Sequence, residues 1–127
     1  MRKLLLFALL ALAMTACKDS IDDRAEKEAQ DYTNRYCPTP VYNNTYTDSL
    51  VYDRTTRTFI YYTKLTGDLD NDSIIDANKK ELQEGLRQSI RESTALKLYK
   101  DAGIGFKYVI RSDKNPGHVF LEASFKE

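Results

Sequence analysis

The sequence predicts an α+β domain: a four-stranded antiparallel sheet made of two hairpins, with helices packed on one face, in the order α-ββ-α-ββ. Three observations predict it. Two stretches carry apolar residues at helical spacing. Two others alternate β-branched and aromatic residues around polar turns. Helical and hairpin stretches follow one another along the chain, so each hairpin has a helix available to cover it.

The first helix is predicted over residues 20–36. Ser20 and Asp23 have the spacing of a capping box, acidic residues at Asp22 and Asp23 suit the helix dipole, and Ile21, Ala25, Ala29, Tyr32 and Tyr36 recur on one face. With two alanines the stripe is thin, which suits a helix covering the edge of a sheet. It stops before Pro38, since the residue ahead of a proline avoids helical angles. The alternative is that the strongly charged residues 18–30 form a solvated linker. Cys37, close to Pro38 and Pro40, reads as a small buried hydrophobe, having no His or CxxC companion nearby.

From Asn43 to Leu65 the composition turns to Thr, Tyr, Val and Ile, which suit a pleated surface. Leu50–Tyr52 and Thr58–Thr63 flank a polar loop, Asp53–Arg57, of hairpin length. Phe59 and Tyr61 share one face of the second strand, Ile60 and Tyr62 the other. Bulk on both faces predicts a central strand, covered by a helix on one side and partly open on the other.

The second helix has the strongest periodicity, with Ile75, Leu82, Leu86, Ile90 and Ser93 on one face. Ser73 and Asp76 offer its cap, and Gly85 inside the pattern predicts close packing at that point. Ser93 and Thr94 break it, Ala95–Ala102 reads as a short continuation, and Gly103 suits a left-handed C-terminal cap. Phe106–Arg111 and Val119–Lys126 then alternate around Asp113–Gly117, which is turn chemistry.

Ahead of this domain stands a different kind of segment. Met1-Arg2-Lys3 is basic, Leu4–Ala13 is an unbroken apolar run, and Met14-Thr15-Ala16 places small residues before Cys17. A run of that length is too short for a spanning helix, which needs about 20 residues, so residues 1–16 read as a cleaved export signal. The arrangement resembles the signal peptides of bacterial lipoproteins, and the resemblance implies that Cys17 carries acyl chains. Lys18-Asp19 with Asp22-Asp23 also resembles the charged tract of Bacteroides-type lipoproteins exported to the cell surface. The implied location is the cell envelope, lipid-anchored, with the outer membrane as the expected membrane. Residues 17–19 are then the lipidated cysteine and a short tether, and residues 20–127 are the domain. Its size of about 110 residues suits a single core.

Composition excludes some functions. The chain balances 19 basic against 19 acidic residues, and loss of Arg2 and Lys3 with the signal leaves a small acidic excess. Both signs alternate throughout, so no basic face predicts nucleic acid. With Cys17 consumed by the anchor, Cys37 has no intramolecular partner and a disulfide framework is excluded.

One stretch, Gly67–Asp76, hints at metal chemistry. Asp68, Asp70 and Asp72 are spaced by two and Asp76 follows, a pattern that lets alternate carboxylates converge on calcium. It resembles the loops of dockerin and EF-hand proteins, which implies calcium as a cofactor. Ser73 stands where those loops turn on glycine, however, and Lys79 where a last acidic ligand would close the shell. The competing reading is a strand-to-helix loop whose Asp and Ser residues cap the next helix, with no cofactor.

Catalytic motifs are missing from the sequence, and the single histidine, His118, beside Pro116-Gly117, reads as an exposed strand-start residue. The nine tyrosines are the remaining clue. Tyr42 and Tyr46 lie in a polar Asn/Thr loop, and with a strand-face ring such as Tyr62 they would form a recognition patch on the open sheet face. The function expected is thus a non-catalytic protein-binding or inhibitor-like module with an envelope protein partner. A weak calcium-binding domain is the alternative, and an envelope enzyme ranks third. Taken whole, the chain resembles small Bacteroides-type lipoproteins.

Overall fold

The structure, a computed structural model, describes residues 20–127. The signal, Cys17 and its tether lie outside the described residues, as does the Ser20 side chain and hence its cap. Helix α1 is Ser20–Tyr36, matching the predicted helix and not the linker alternative. Strands β1 (Thr45–Asp53) and β2 (Thr58–Leu65) follow. After a single 3-10 turn at Gly67–Leu69 come α2 (Asp72–Glu92) and α3 (Lys97–Asp101), then β3 (Gly105–Ser112) and β4 (Val119–Phe125).

The four strands form one sheet in the order β1-β2-β3-β4, so the α+β class and the α-ββ-α-ββ order hold. Each hairpin is antiparallel, but the two meet along a parallel pair, with Thr58 opposite Gly105 and Leu65 opposite Ser112. The helical crossover α2-α3 is the reason. It carries the chain from the end of β2 back to where β2 began, so β3 must run in the same direction.

The inner face, which the helices cover, holds the core. Tyr52, Phe59, Phe106 and Phe125 lie side by side across the strands and all are buried. Ring centroids stand 5.1 Å apart for Tyr52–Phe59 and 5.9 Å for Phe59–Phe106, while Tyr99 of α3 meets Phe59 edge-on at 4.9 Å. Contacts of this kind add to what burial alone contributes. Ala25 and Ala29 of α1 are fully buried beside them, their small size letting the helix backbone approach the sheet.

Polar locks hold α1 to the rest. Asp22 accepts from the Tyr52 hydroxyl and from Arg57 Nε at 3.1 Å. Asp23 pairs with Arg54 at 2.8 Å, as does Glu26. The Thr33 hydroxyl donates to the Leu50 carbonyl and accepts from the Leu50 N–H, which covers an otherwise open strand edge. Beyond the helix, the Thr39 backbone N–H donates to the Thr47 carbonyl and its hydroxyl accepts from the Thr47 N–H. The thin stripe of α1 therefore serves a sheet edge, as its alanines predicted.

Two expectations for α2 are corrected. Asn71, not Ser73, is the N-cap, its side chain accepting from the Ser73 and Ile74 N–H groups. Gly85 is exposed, and a Cβ added there would meet nothing within 4 Å, so it marks no close packing. At the other end, Lys100 Nζ donates to the carbonyls of Ile90, Arg91 and Ser93, satisfying groups that a helix end leaves without partners. Gly103 has φ +77°, the left-handed cap position the sequence indicated.

Candidate functional site

The two ends of the inner face differ. Where the aromatic row ends, threonines begin: Thr47, Thr63 and Ile110 lie opposite one another across β1, β2 and β3. Their short side chains leave a groove of about 380 Å³ between sheet and α2. Leu65 and Tyr108 complete the floor, and Leu69 of the 3-10 turn closes one end. Ile74, Asn78, Leu82 and Leu86 form the wall, one row at i, i+4 spacing, which runs obliquely along the helix and so faces the groove over its length. That row spans about 18 Å at the helical rise. Leu82 and Leu86 are half-buried and Ile74 is 37% exposed, so this apolar surface is only partly covered. Among the described residues, the groove is lined by no carboxylate, lysine, arginine, histidine or cysteine.

The start of α2 is fixed by the stretch that suggested calcium. Asp70 accepts from the Ser112 hydroxyl at 2.5 Å and the Lys114 N–H at 3.0 Å. Those donors, the Ser112 hydroxyl first, hold its carboxyl below the usual carboxylate range. Asp72 pairs with His118 Nε2 at 2.6 Å. Asp68 and Asp76 make no such contact: the backbone enters a 3-10 turn at Gly67 and a helix at Asp72, so carboxylates spaced by two do not converge. No group of three His, Cys, Asp or Glu side chains able to hold a metal occurs among the described residues. The loop is instead a strap that ties the groove wall to the β3–β4 turn. His118 belongs to it, half-buried, with its ring edge-on to Phe120 at 4.9 Å.

The three candidate tyrosines separate. Tyr42 is 78% exposed and pairs through its backbone with Thr45, a residue of the groove. Val41 beside it is also exposed. Tyr46 and Tyr62 lie on the opposite, outer face. Tyr46 donates to Asp113 at 2.6 Å, and this bond is the main cause that pushes its phenol up to about 12. Tyr62 lies beneath the Arg111 guanidinium, 5.5 Å from the ring centroid. The Lys107–Glu122 and Lys64–Asp48 pairs, each 3.8 Å, cross the same face. Charge pairs and the Tyr46 and Arg111 contacts thus occupy much of the outer face, where Val51 is 43% exposed, whereas the groove lining carries no charge. Cys37 is free and half-buried, and burial pushes its thiol up, away from reactivity.

The family described as a domain of unknown function (DUF8479) matches residues 20–121 of this sequence. The chain belongs to that family. The match covers every element above up to the middle of β4, including the whole groove, so the groove is part of the DUF8479 domain. No curated protein matches the sequence. Among solved structures, the DUF8479 domain is similar to a Pseudomonas aeruginosa protein described as secreted, at 12% identity and a TM-score of 0.71 over 84% of this chain and 89% of that one. It is also similar to the pilotin EpsS of the Vibrio vulnificus type 2 secretion system, at 13% identity and a TM-score of 0.63 over 84% and 88%. The type II secretion pilotin AspS of Vibrio cholerae matches at 13% identity and a TM-score of 0.59 over 90% and 95%. At these identities the likeness is one of fold.

Proposed function

We propose that this DUF8479 protein is a lipid-anchored, non-catalytic docking module of the bacterial cell envelope, held in the outer membrane through Cys17. Its groove beneath α2 seats an apolar segment of an envelope protein partner. The observation that carries this reading is the groove itself: apolar, partly open, about 18 Å long at the helical rise, and lined among the described residues by no acid, base or thiol. Such a lining places no carboxylate, imidazole, amine or thiol beside its threonine and tyrosine hydroxyls, and it suits a peptide segment that presents an apolar stripe. The fold likeness to two pilotins of type II secretion systems supports the same class, an accessory protein of the envelope. The bacterial lipoprotein signal before Cys17 supports the anchor.

Site-specific photo-crosslinking in cells tests this. A photoreactive residue at Asn78, exposed on the groove wall, is expected to capture an envelope protein through an apolar segment identified by mass spectrometry. The same residue at Lys107 on the outer face is expected to capture nothing comparable. Equal capture at both positions, or capture at Lys107 alone, overturns the assignment of the groove.

A further inference from the structure

The end of the domain opposite the groove carries its own apolar surface. Leu98 of α3 is 45% exposed and borders a cleft with Ile21 and Ala102. Arg24 and Asp101 rim it, and Asp101 pairs with Lys97 at 2.8 Å. An exposed leucine beside an isoleucine, ringed by charges of both signs, has the chemistry of the boundary between headgroups and acyl chains. Its position supplies a second argument. Ile21 lies in the first turn of α1, and only Lys18 and Asp19 separate Ser20 from Cys17. Three residue steps reach at most about 10 Å, so an acylated Cys17 brings this end of α1 against the lipid surface. Among the described residues no helix is long and apolar enough to cross a membrane, so contact there is interfacial.

We propose that the Ile21–Leu98–Ala102 surface is a lipid-contact site that seats the domain on the membrane in one orientation. The inference rests on acylation of Cys17, part of the function proposed above. It sets where the groove lies. Strand β1 runs from Thr45 at the groove to Asp53, whose neighbour Arg54 pairs with Asp23 in the first turn of α1. Along such a strand the groove stands about 25 Å from the lipid, clear of the headgroups and open to a partner in solution.

The absence of tryptophan from the chain makes the test direct. Leu98→Trp and, separately, Ile74→Trp each introduce a single reporter into the acylated full chain, reconstituted in phosphatidylcholine vesicles with brominated acyl chains. Emission from position 98 is expected to shift to the blue and to be strongly quenched, while emission from position 74 keeps its intensity. Ile21→Trp serves as a second reporter at the lipid end should Leu98→Trp fail to fold, as judged by circular dichroism. Equal, weak quenching at both ends of an acylated protein overturns the lipid-contact site and leaves the docking groove standing. A mature product whose mass shows no acyl chains overturns the anchor and the lipid-contact site together.

Discussion

The two ends of the inner sheet face are made from the same four strands, yet one is sealed and the other open. At the sealed end Tyr52, Phe59 and Phe106 fill the space under α1 and α3, and Tyr99 closes over them with its hydroxyl donating to Glu28. At the open end the equivalent positions are Thr47, Thr63 and Ile110, and no short helix returns to cover them. The difference is one of side-chain volume and helix placement, not of sheet geometry. Ring packing holds the fold at one end, while unfilled volume is left at the other, where the proposed partner segment would dock.

Emptying the sealed end is expected to have the largest effect. Phe59→Ala removes a ring that touches Tyr52, Tyr99 and Phe106, and the cavity left behind is expected to cost about 3–5 kcal/mol in urea unfolding. A loss below about 1 kcal/mol would show that the row is not the core.

The next effect concerns the lock that closes the sealed end. Hydrogen bonding from Tyr52, then from Arg57, keeps the Asp22 carboxyl below its ordinary value despite burial that raises it. A carboxylate depressed in the folded state contributes stability above its unfolded pKa, and that contribution is lost as pH falls through the folded value. Asp22→Asn is therefore expected to cost about 1–3 kcal/mol at neutral pH and to flatten the stability profile below about pH 4. Unfolding followed from neutral pH into acid checks both; a profile as steep as that of the unaltered protein would place the acid sensitivity elsewhere. The partner side behaves oppositely. Burial and the Asp22 contact push Tyr52 up to about 12, so the share of stability it contributes is present below pH 10 and lost as pH rises through 12.

At the open end the same kind of truncation is expected to do less. Leu82→Ala trims a half-buried side chain over a groove that already has room, which places its cost near 1 kcal/mol, while crosslinking from Asn78 is expected to fall sharply. Should Leu82→Ala cost as much as Phe59→Ala, the groove is ordinary core and the contrast between the ends disappears.

Legibility in the sequence follows the same division. Both helices, both hairpins and the central position of β2 were readable because each has a local signal: i, i+4 stripes, alternation, turn residues and a proline stop. The parallel pairing of β2 with β3 was not, because strand direction depends on how the crossover packs and leaves no periodic trace. The groove was half visible. Leu82 and Leu86 are written in the helix pattern, whereas Ile74 stands outside the stripe through Ile75; whether such a row is buried depends on what lies opposite, and Thr47 and Thr63 on separate strands carry no mark of becoming neighbours. Asp70 and Asp72 show the reverse case: their spacing was plain, yet the partners that engage them, Ser112 and His118, are 42 and 46 residues away in sequence. The expectation for Cys17 rests on the leader alone and lies outside the described residues.

The smallest effect is expected where the groove wall is stiffened without touching the groove. Gly85 sits in the interior of α2, exposed, with open space where a Cβ would be added. It therefore bears the entropic cost of glycine in a helix and has no packing to offset it. Gly85→Ala is expected to raise stability by about 0.5–1 kcal/mol, read as a higher urea midpoint at unchanged slope, with crosslinking from Asn78 unaltered. The sign is the informative part. A loss of stability would mean that α2 is covered on its outer side by something other than solvent. A gain in stability with loss of capture would mean that the open end needs a wall able to bend, and the difference between the two ends would then be one of rigidity as well as of volume.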